Sequence, residues 1–285
     1  MGAQVQTKKE SVEDIVLRHS KRGMNILRDY MEEAFCRKAV EKILALPKGN
    51  ILLTTGFYVA GYAETDGPLG TMTVAKALEA LGYHSVIVTD KYCKGFFEGE
   101  GLEVEYMHIH DGLETYEEVL DDFRPVGLIS IERCGRNIQD DYANMRGISI
   151  KDNTARIDLL FEAAKKRGIP TFGVGDGGNE IGMGNLRDAI TNQLSLVPCD
   201  VEVDSLIIAT VSNWGAYAIA AYIQKLKKVK VLPTYEEIER YLKNIVAMGS
   251  VDGVTKEHVL SVDGFPLEVE KEILRELHKA ASYVA

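Results

Sequence analysis

Cysteine is scarce in this chain: four in 285 residues, Cys36, Cys93, Cys134 and Cys199, with no CxxC pair among them. That scatter excludes a disulfide framework or a cysteine zinc site and reads as reduced, structural thiols of a cytoplasmic protein. Long apolar runs are missing as well. No stretch approaches the ~20 residues that a membrane span requires, and the opening MGAQVQTKKE has no apolar segment of the secretory kind. Basic residues are in deficit, with 33 Lys and Arg against 43 Asp and Glu and a formal net charge of −10. An acidic surface repels phosphate backbones and anionic lipid, so neither nucleic acid nor a membrane is expected as a partner. Repeats of domain or element length, low-complexity tracts and long linkers are also missing.

What is there fits a globular protein: 46% apolar and 27% charged residues, on a chain long enough for a large core. Near the start, Ser11 suits a helix cap, and Val12, Ile15, Val16 and His19 follow at helical spacing. A second helix is expected with Leu27, Tyr30, Met31, Ala34 and Phe35 on one face, running through Val40, Ile43 and Leu44 to Pro47. The pattern then changes to short apolar runs at 51–55, 86–89, 104–107, 127–131, 171–174 and 206–211. Several are continuous rather than alternating, as in a parallel sheet covered on both faces. Helical spacing fills 71–81, 116–123, 155–167 and 216–227 between them. This alternation predicts an α/β, doubly wound, mostly parallel Rossmann-like sheet with helical additions at both termini. One domain is expected over 1–285: helices in 1–47, the sheet in 48–230, and helices in 231–285, ending in an amphipathic stretch from 267 to 283. That last stripe could pack on its own domain or make a homo-oligomer interface.

In such sheets ligands bind at the carboxyl ends of the strands, and here those ends are rich in Gly and charge. The segment GVGDGGNEIGMG, 173–184, carries Gly at 173, 175, 177, 178, 182 and 184. So many glycines let the backbone approach a ligand and aim the N–H groups of Gly177 and Gly178 at one anion, with Asn179 beside them. Asp176 and Glu180 within it could bind a hard cation or move a proton. A tight turn whose acids cap the next helix is the plainer alternative. ETDGPLGT, 64–71, places Gly67, Pro68 and Gly70 at a helix start, where N–H groups favour a carboxylate or phosphate. It is neither GxGxxG nor a Walker loop, so no NAD is expected. Glu64 and Asp66 would repel an anion there unless a metal lies between them; alternatively Asp66 simply caps the helix. IERCGRNIQDDYANMRG, 131–147, sets Glu132, Arg133 and Arg136 directly after a strand. Their guanidinium groups suit a carboxylate, or a structural salt bridge to Glu132. Thr55 stands at the end of the first strand, on the same expected sheet edge. Cys134 reads as packing rather than nucleophile, His108 and His110 are weak metal candidates, and Trp214 is expected to pack under a helix.

These motifs together, TTGF, ETDGPLG, IERxGR, NMRG and GDGGNEIGMG in that order, resemble the C-terminal domain family of D-glutamate cyclase over roughly residues 46–227. The resemblance implies a lyase of hydro-lyase type that converts D-glutamate to 5-oxo-D-proline with loss of water. In larger eukaryotic relatives this domain is joined to a hydro-lyase-like domain that nothing here matches. The resemblance also implies that Glu64, Asp66, Glu132, Arg133, Arg136, Asp176, Asn179 and Glu180 belong to the site.

Closing the lactam needs a neutral amine, an electrophilic γ-carboxyl group and a stabilised leaving oxygen. Arg133 and Arg136 are expected to anchor carboxylate, with Thr55, Gly67, Gly70, Gly177, Gly178 and Asn179 around a small acidic metabolite. Asp176, Glu180 and Glu132 are the expected catalytic set, with burial or like charge raising a carboxylate towards neutral pKa. Either Mg²⁺ or Mn²⁺ on Asp66, Glu64 and Asp176, as a Lewis acid, or the N–H groups of Gly177 and Gly178, as an oxyanion cradle, would activate the γ-carboxyl group. Two other classes fit the residues: a metal-dependent enzyme acting on a phosphorylated or nucleotide metabolite, and a non-catalytic amino-acid-binding module.

Overall fold

A computed structural model describes residues 10–282. The continuous apolar runs form a single six-stranded sheet: β1 Asn50–Thr54, β2 His84–Asp90, β3 Glu103–Met107, β4 Gly127–Ile131, β5 Thr171–Gly175 and β6 Ser205–Ile208. All pairings are parallel, in the order β3-β2-β1-β4-β5-β6. The chain first winds outward one way from β1 and then returns to wind the other way from β4. This is the doubly wound arrangement, with its switch point between β1 and β4. β4 and β5 are buried along their whole length, whereas edge strand β3 keeps Glu103 exposed and Glu105 partly so, a charged edge that resists pairing with another chain.

The helices among the described residues are α1 Val12–Val16, α2 Met24–Leu27, α3 Phe35–Ala45, α4 Pro68–Glu79, α5 Leu113–Phe123, α6 Asp158–Lys166, α7 Arg187–Leu194, α8 Ser212–Lys227, α9 Tyr235–Ala247 and α10 Leu267–Ala281. α8 is buried from Ser212 to Gln224, so it has no polar face. α4, α3 and α10 pack around it, and α5 pairs with α6. Gly70 is what lets α4 and α8 abut: a methyl group there would stand 2.6 Å from Ala216 Cβ.

The terminal helices differ in detail from expectation. α1 has the full capping box, Ser11 with Asp14. The second helix is broken rather than continuous. The backbone is extended at Met31 and left-handed at Ala34 (φ 55°), so α2 and α3 are separate. Arg28 makes the break tolerable by donating to the freed carbonyls of Met31 and Glu32 and lying over the Phe35 ring. α10 turns its apolar stripe, Ile273, Leu274 and Leu277, inward onto its own chain; Tyr283, the expected end of this stretch, lies outside the described residues. No helix of the described residues is long and apolar enough to cross a membrane.

Candidate functional site

The loops leaving β1, β4 and β5 converge at the switch point, and each delivers a carboxylate. Asp66 comes from the first, Glu132 from the second and Asp176 from the third; one oxygen of each lies within 4.8 Å of the others, and all three side chains are buried. Asp66 sits just before α4, yet it caps α8: Oδ2 accepts from the N–H of Ser212 and Oδ1 from that of Asn213, both at 2.8 Å. Asn213 answers across the same junction, its Oδ1 accepting from Gly67 and Gly70 at 2.9 and 2.7 Å. The Gly67 and Gly70 N–H groups expected to face an anion are therefore already satisfied. The same is true one loop further on, where the Glu180 carboxylate accepts from Gly177 and Gly178, each at 2.7 Å. Glu180 braces the glycine loop from inside.

Glu132 has a left-handed backbone (φ 49°), uncommon for a residue with a side chain. The twist separates it from its neighbour. Glu132 takes a hydrogen bond from the Ser212 hydroxyl, whereas Arg133 is directed to other partners and is fully buried (0%). There it donates to the carbonyls of Gly56 and Ala155 at 2.6 and 2.7 Å and pairs with Asp90 at 2.7 Å. Arg133 thus ties the loops after β1, β2 and β4 together and has no guanidinium edge facing the cleft. Arg136 pairs with Glu162 at 2.6 Å, away from the carboxylates. Asn179 donates to Ala143 and lines the cleft wall. The Thr55 hydroxyl is buried without a partner, beside Gly67 and Glu132, where a methyl on Gly67 would strike both.

Three residues that sequence reasoning passed over complete the site. Arg22, on the turn before α2, reaches into the acidic set and pairs with Asp176 at 2.8 Å and Asp263 at 2.7 Å. Asp263 and Lys256 belong to the loop between α9 and α10. That loop is fastened to the strand-like stretch carrying Glu64, through Thr65 N–H to Val251 O (2.8 Å) and the Thr65 hydroxyl to Ser261 O (2.8 Å). Its hub is Asp252, which accepts from Val254, Thr255, Gly264 and the Ser261 hydroxyl. The tetrapeptide SVDG occurs at both 250–253 and 261–264, a small repetition that could have marked this loop.

Burial and crowding set the electrostatics. Burial, followed by Asp263 and Asp66, lifts Glu64 well above the ordinary carboxylate range. Glu132 is lifted by burial and then by Glu180 and Asp66. Burial pushes Asp66 up to about 8, with Asp263 adding to it and the Asn213 and Ser212 N–H donors opposing. Asp176 is raised by burial while Arg22 opposes. Such a set carries protons near neutral pH or is neutralised by a cation.

Above it opens a cleft of about 500 Å³. Glu64 and Glu132 line its depth, Phe57, Tyr58 and Ile150 its wall, and Arg22, Arg146 and Lys256 bring positive charge. Arg146 and Lys256 are exposed and have no ion-pair partner among the described residues. Elsewhere, Cys134 is buried and its thiol pushed up by burial, in keeping with packing. His108 and His110 are exposed beyond β3, and the fully buried Trp214 donates to Glu270.

A six-stranded parallel sheet with its crevice at the strand-order switch defines a Rossmann-like, doubly wound α/β protein. Within that class the chain belongs to the D-glutamate cyclase-like, C-terminal family, which matches residues 12–278, a wider span than the motifs alone. It is 35% identical over 211 residues to the human mitochondrial D-glutamate cyclase, covering 65% of this chain but 34% of that protein. The chain thus spans about a third of the human protein's length. Solved structures add only distant likeness. A UDP-glucose 4-epimerase from Thermotoga maritima is 21% identical over 45% of this chain and 38% of its own, with a TM-score of 0.28. The Escherichia coli tRNA N6-threonylcarbamoyladenosine dehydratase is 12% identical over 73% and 94%, with a TM-score of 0.30.

Proposed function

We propose that this chain is a D-glutamate cyclase-like lyase that closes an acidic amino acid, D-glutamate first, into 5-oxo-D-proline and water. One observation carries the reading beyond family membership: the cleft is polarised, with the buried carboxyl groups of Glu64 and Glu132 at its depth and the unpaired cations Arg146 and Lys256 at its mouth. An α-amino dicarboxylate fits that polarity with its ammonium inward and its carboxylates towards the cations. A phosphorylated substrate is less well served, because the Gly67 and Gly70 N–H groups are already taken by Asn213.

In this scheme an ionised carboxylate, Glu132 in our assignment, removes the ammonium proton. The amine nitrogen then attacks the γ-carboxyl carbon, forming the C–N bond. Nitrogen sheds a second proton as the tetrahedral centre forms, and the departing oxygen receives two, one from the carboxyl group of Glu64 and one through Glu132, so the C–O bond breaks with release of water. The two protons taken from nitrogen replace the two delivered, so the cycle consumes no co-reactant. Burial raises both Glu132 and Glu64 from the ordinary carboxylate range, the direction a carboxyl group needs in order to exchange protons with an amine. The buried free thiols support a reducing compartment, cytoplasmic in our reading.

The test is to incubate the purified chain with D-glutamate and, separately, L-glutamate, and follow oxoproline. Turnover of the D form is expected, with Glu132→Gln lowering kcat roughly 100-fold or more and Arg146→Ala raising KM about tenfold. Absence of both turnover and thermal stabilisation by D-glutamate would overturn the reading.

A further inference from the structure

We propose that Asp66, Glu132 and Asp176 form a binding site for one divalent cation of the Mg²⁺ or Mn²⁺ class. Three loops from three strands bring one oxygen each to within 4.8 Å of the others. Oxygens about 2.1 Å from a common ion stand roughly 3 to 4.2 Å apart, so only a small closing movement separates these groups from ligation. The donors are all carboxylate oxygens, without His or Cys in the set, which suits a hard ion rather than zinc or copper. Three protein ligands leave coordination positions for water or substrate.

Two further observations point to a ligand. Asp176 is fully buried, and Arg22 occupies only its Oδ1, leaving Oδ2 without a partner. The Thr55 hydroxyl, equally buried and unpartnered, stands beside Gly67 and Glu132 at the same junction. Polar atoms left unsatisfied in a dry site cost free energy, and a bound ion with its water shell answers them together. Charge argues the same way. Glu64 and Asp263 flank the three ligands, and Arg22 is the cation that reaches in to meet them. A divalent ion would reduce the mutual repulsion of the rest.

The inference concerns the same site as the proposed reaction but does not rest on the identity of the substrate, so its test is made without one. The chain is stripped with EDTA and titrated with Mn²⁺, reading bound ion by electron paramagnetic resonance and stability by thermal melting. One Mn²⁺ per chain is expected, displaced by Mg²⁺, with a rise in Tm. Asp176→Asn and Glu132→Gln should each weaken binding at least about tenfold. Because Asp176→Asn also breaks the Arg22 pair, Glu132→Gln is the decisive variant. It removes a charge from the crowded set and breaks no ion pair, so the metal-free variant should melt no lower than the parent yet lose the Mn²⁺-induced rise. No stoichiometric Mn²⁺ on the parent chain, or both variants binding as tightly as the parent, would overturn the site. Mn²⁺ bound with neither turnover of D-glutamate nor thermal stabilisation by it would sink the cyclase reading and leave this one standing; turnover in EDTA with no Mn²⁺ bound would do the reverse.

Discussion

At the residue scale the site is governed by how few partners its buried carboxylates have. Asp66 receives N–H donors from the start of α8, yet burial still pushes it up to about 8. Glu64, Glu132 and Asp176 are raised too. A carboxylate whose folded pKa lies above its unfolded value binds more protons in the folded state. The stability it contributes is therefore fully present below the unfolded pKa and lost as pH rises through the folded one. In EDTA the chain should melt at a higher temperature near about pH 6 than near about pH 8.5, and Glu132→Gln should flatten that slope. A melting temperature that is level or climbs over the same range would contradict the crowding described here.

At the scale of elements, the junction of α4 with α8 decides where Asp66 stands. Asn213 and Asp66 each cap the other's segment, an exchange that holds only while the helices are in close contact. Gly70 permits that contact, with Ala216 Cβ and Asn213 Cα at 2.6 and 3.0 Å from a methyl placed there. Gly70→Ala should destabilise the fold by about 1–3 kcal/mol, read by chemical denaturation, and should lower activity through the displaced Asp66. The loop of residues 250–264 is the second such element. Its hub Asp252 is held below the ordinary carboxylate range: burial would raise it, but the Ser261 hydroxyl and the N–H groups of Thr255, Gly264 and Val254 outweigh that.

At the scale of the whole molecule, the two terminal regions are fastened to the sheet through α8. Glu270 of α10 is buried and accepts from Trp214 Nε1 and the Tyr217 hydroxyl, both at 2.7 Å. Glu13 of α1 accepts from the Tyr222 hydroxyl in the same way, at 2.9 Å. These polar pins place the chain before α2 and the loop before α10 over the crevice, where Arg22 and Asp263 meet. Trp214→Phe would leave a Glu270 oxygen without its donor and should cost roughly 1–3 kcal/mol in a denaturant melt. A variant as stable as the parent would show that this pin contributes little to docking α10.

The formal charge of −10 and the acidic strand-end loops were readable residue by residue, as were the six strands, because a parallel sheet buried on both faces imprints continuous apolar runs. Asp66, Glu132 and Asp176 were legible for a related reason: loops at the carboxyl ends of such strands converge whatever their sequence. The tertiary structure alone decided which groups remain free to act. Whether an N–H group faces a ligand depends on whether Asn213 or Glu180 reaches it first, and both do. Neighbours in sequence need not share a site, since the left-handed turn at Glu132 separates it from Arg133. The positive charge expected from Arg133 and Arg136 comes from Arg22, Arg146 and Lys256 instead, two of which lie far along the chain from the motifs. Local pattern encodes strands and helices, but charge compensation between segments 240 residues apart, as when Arg22 meets Asp263 (|i−j| = 241), exists only once the chain has folded.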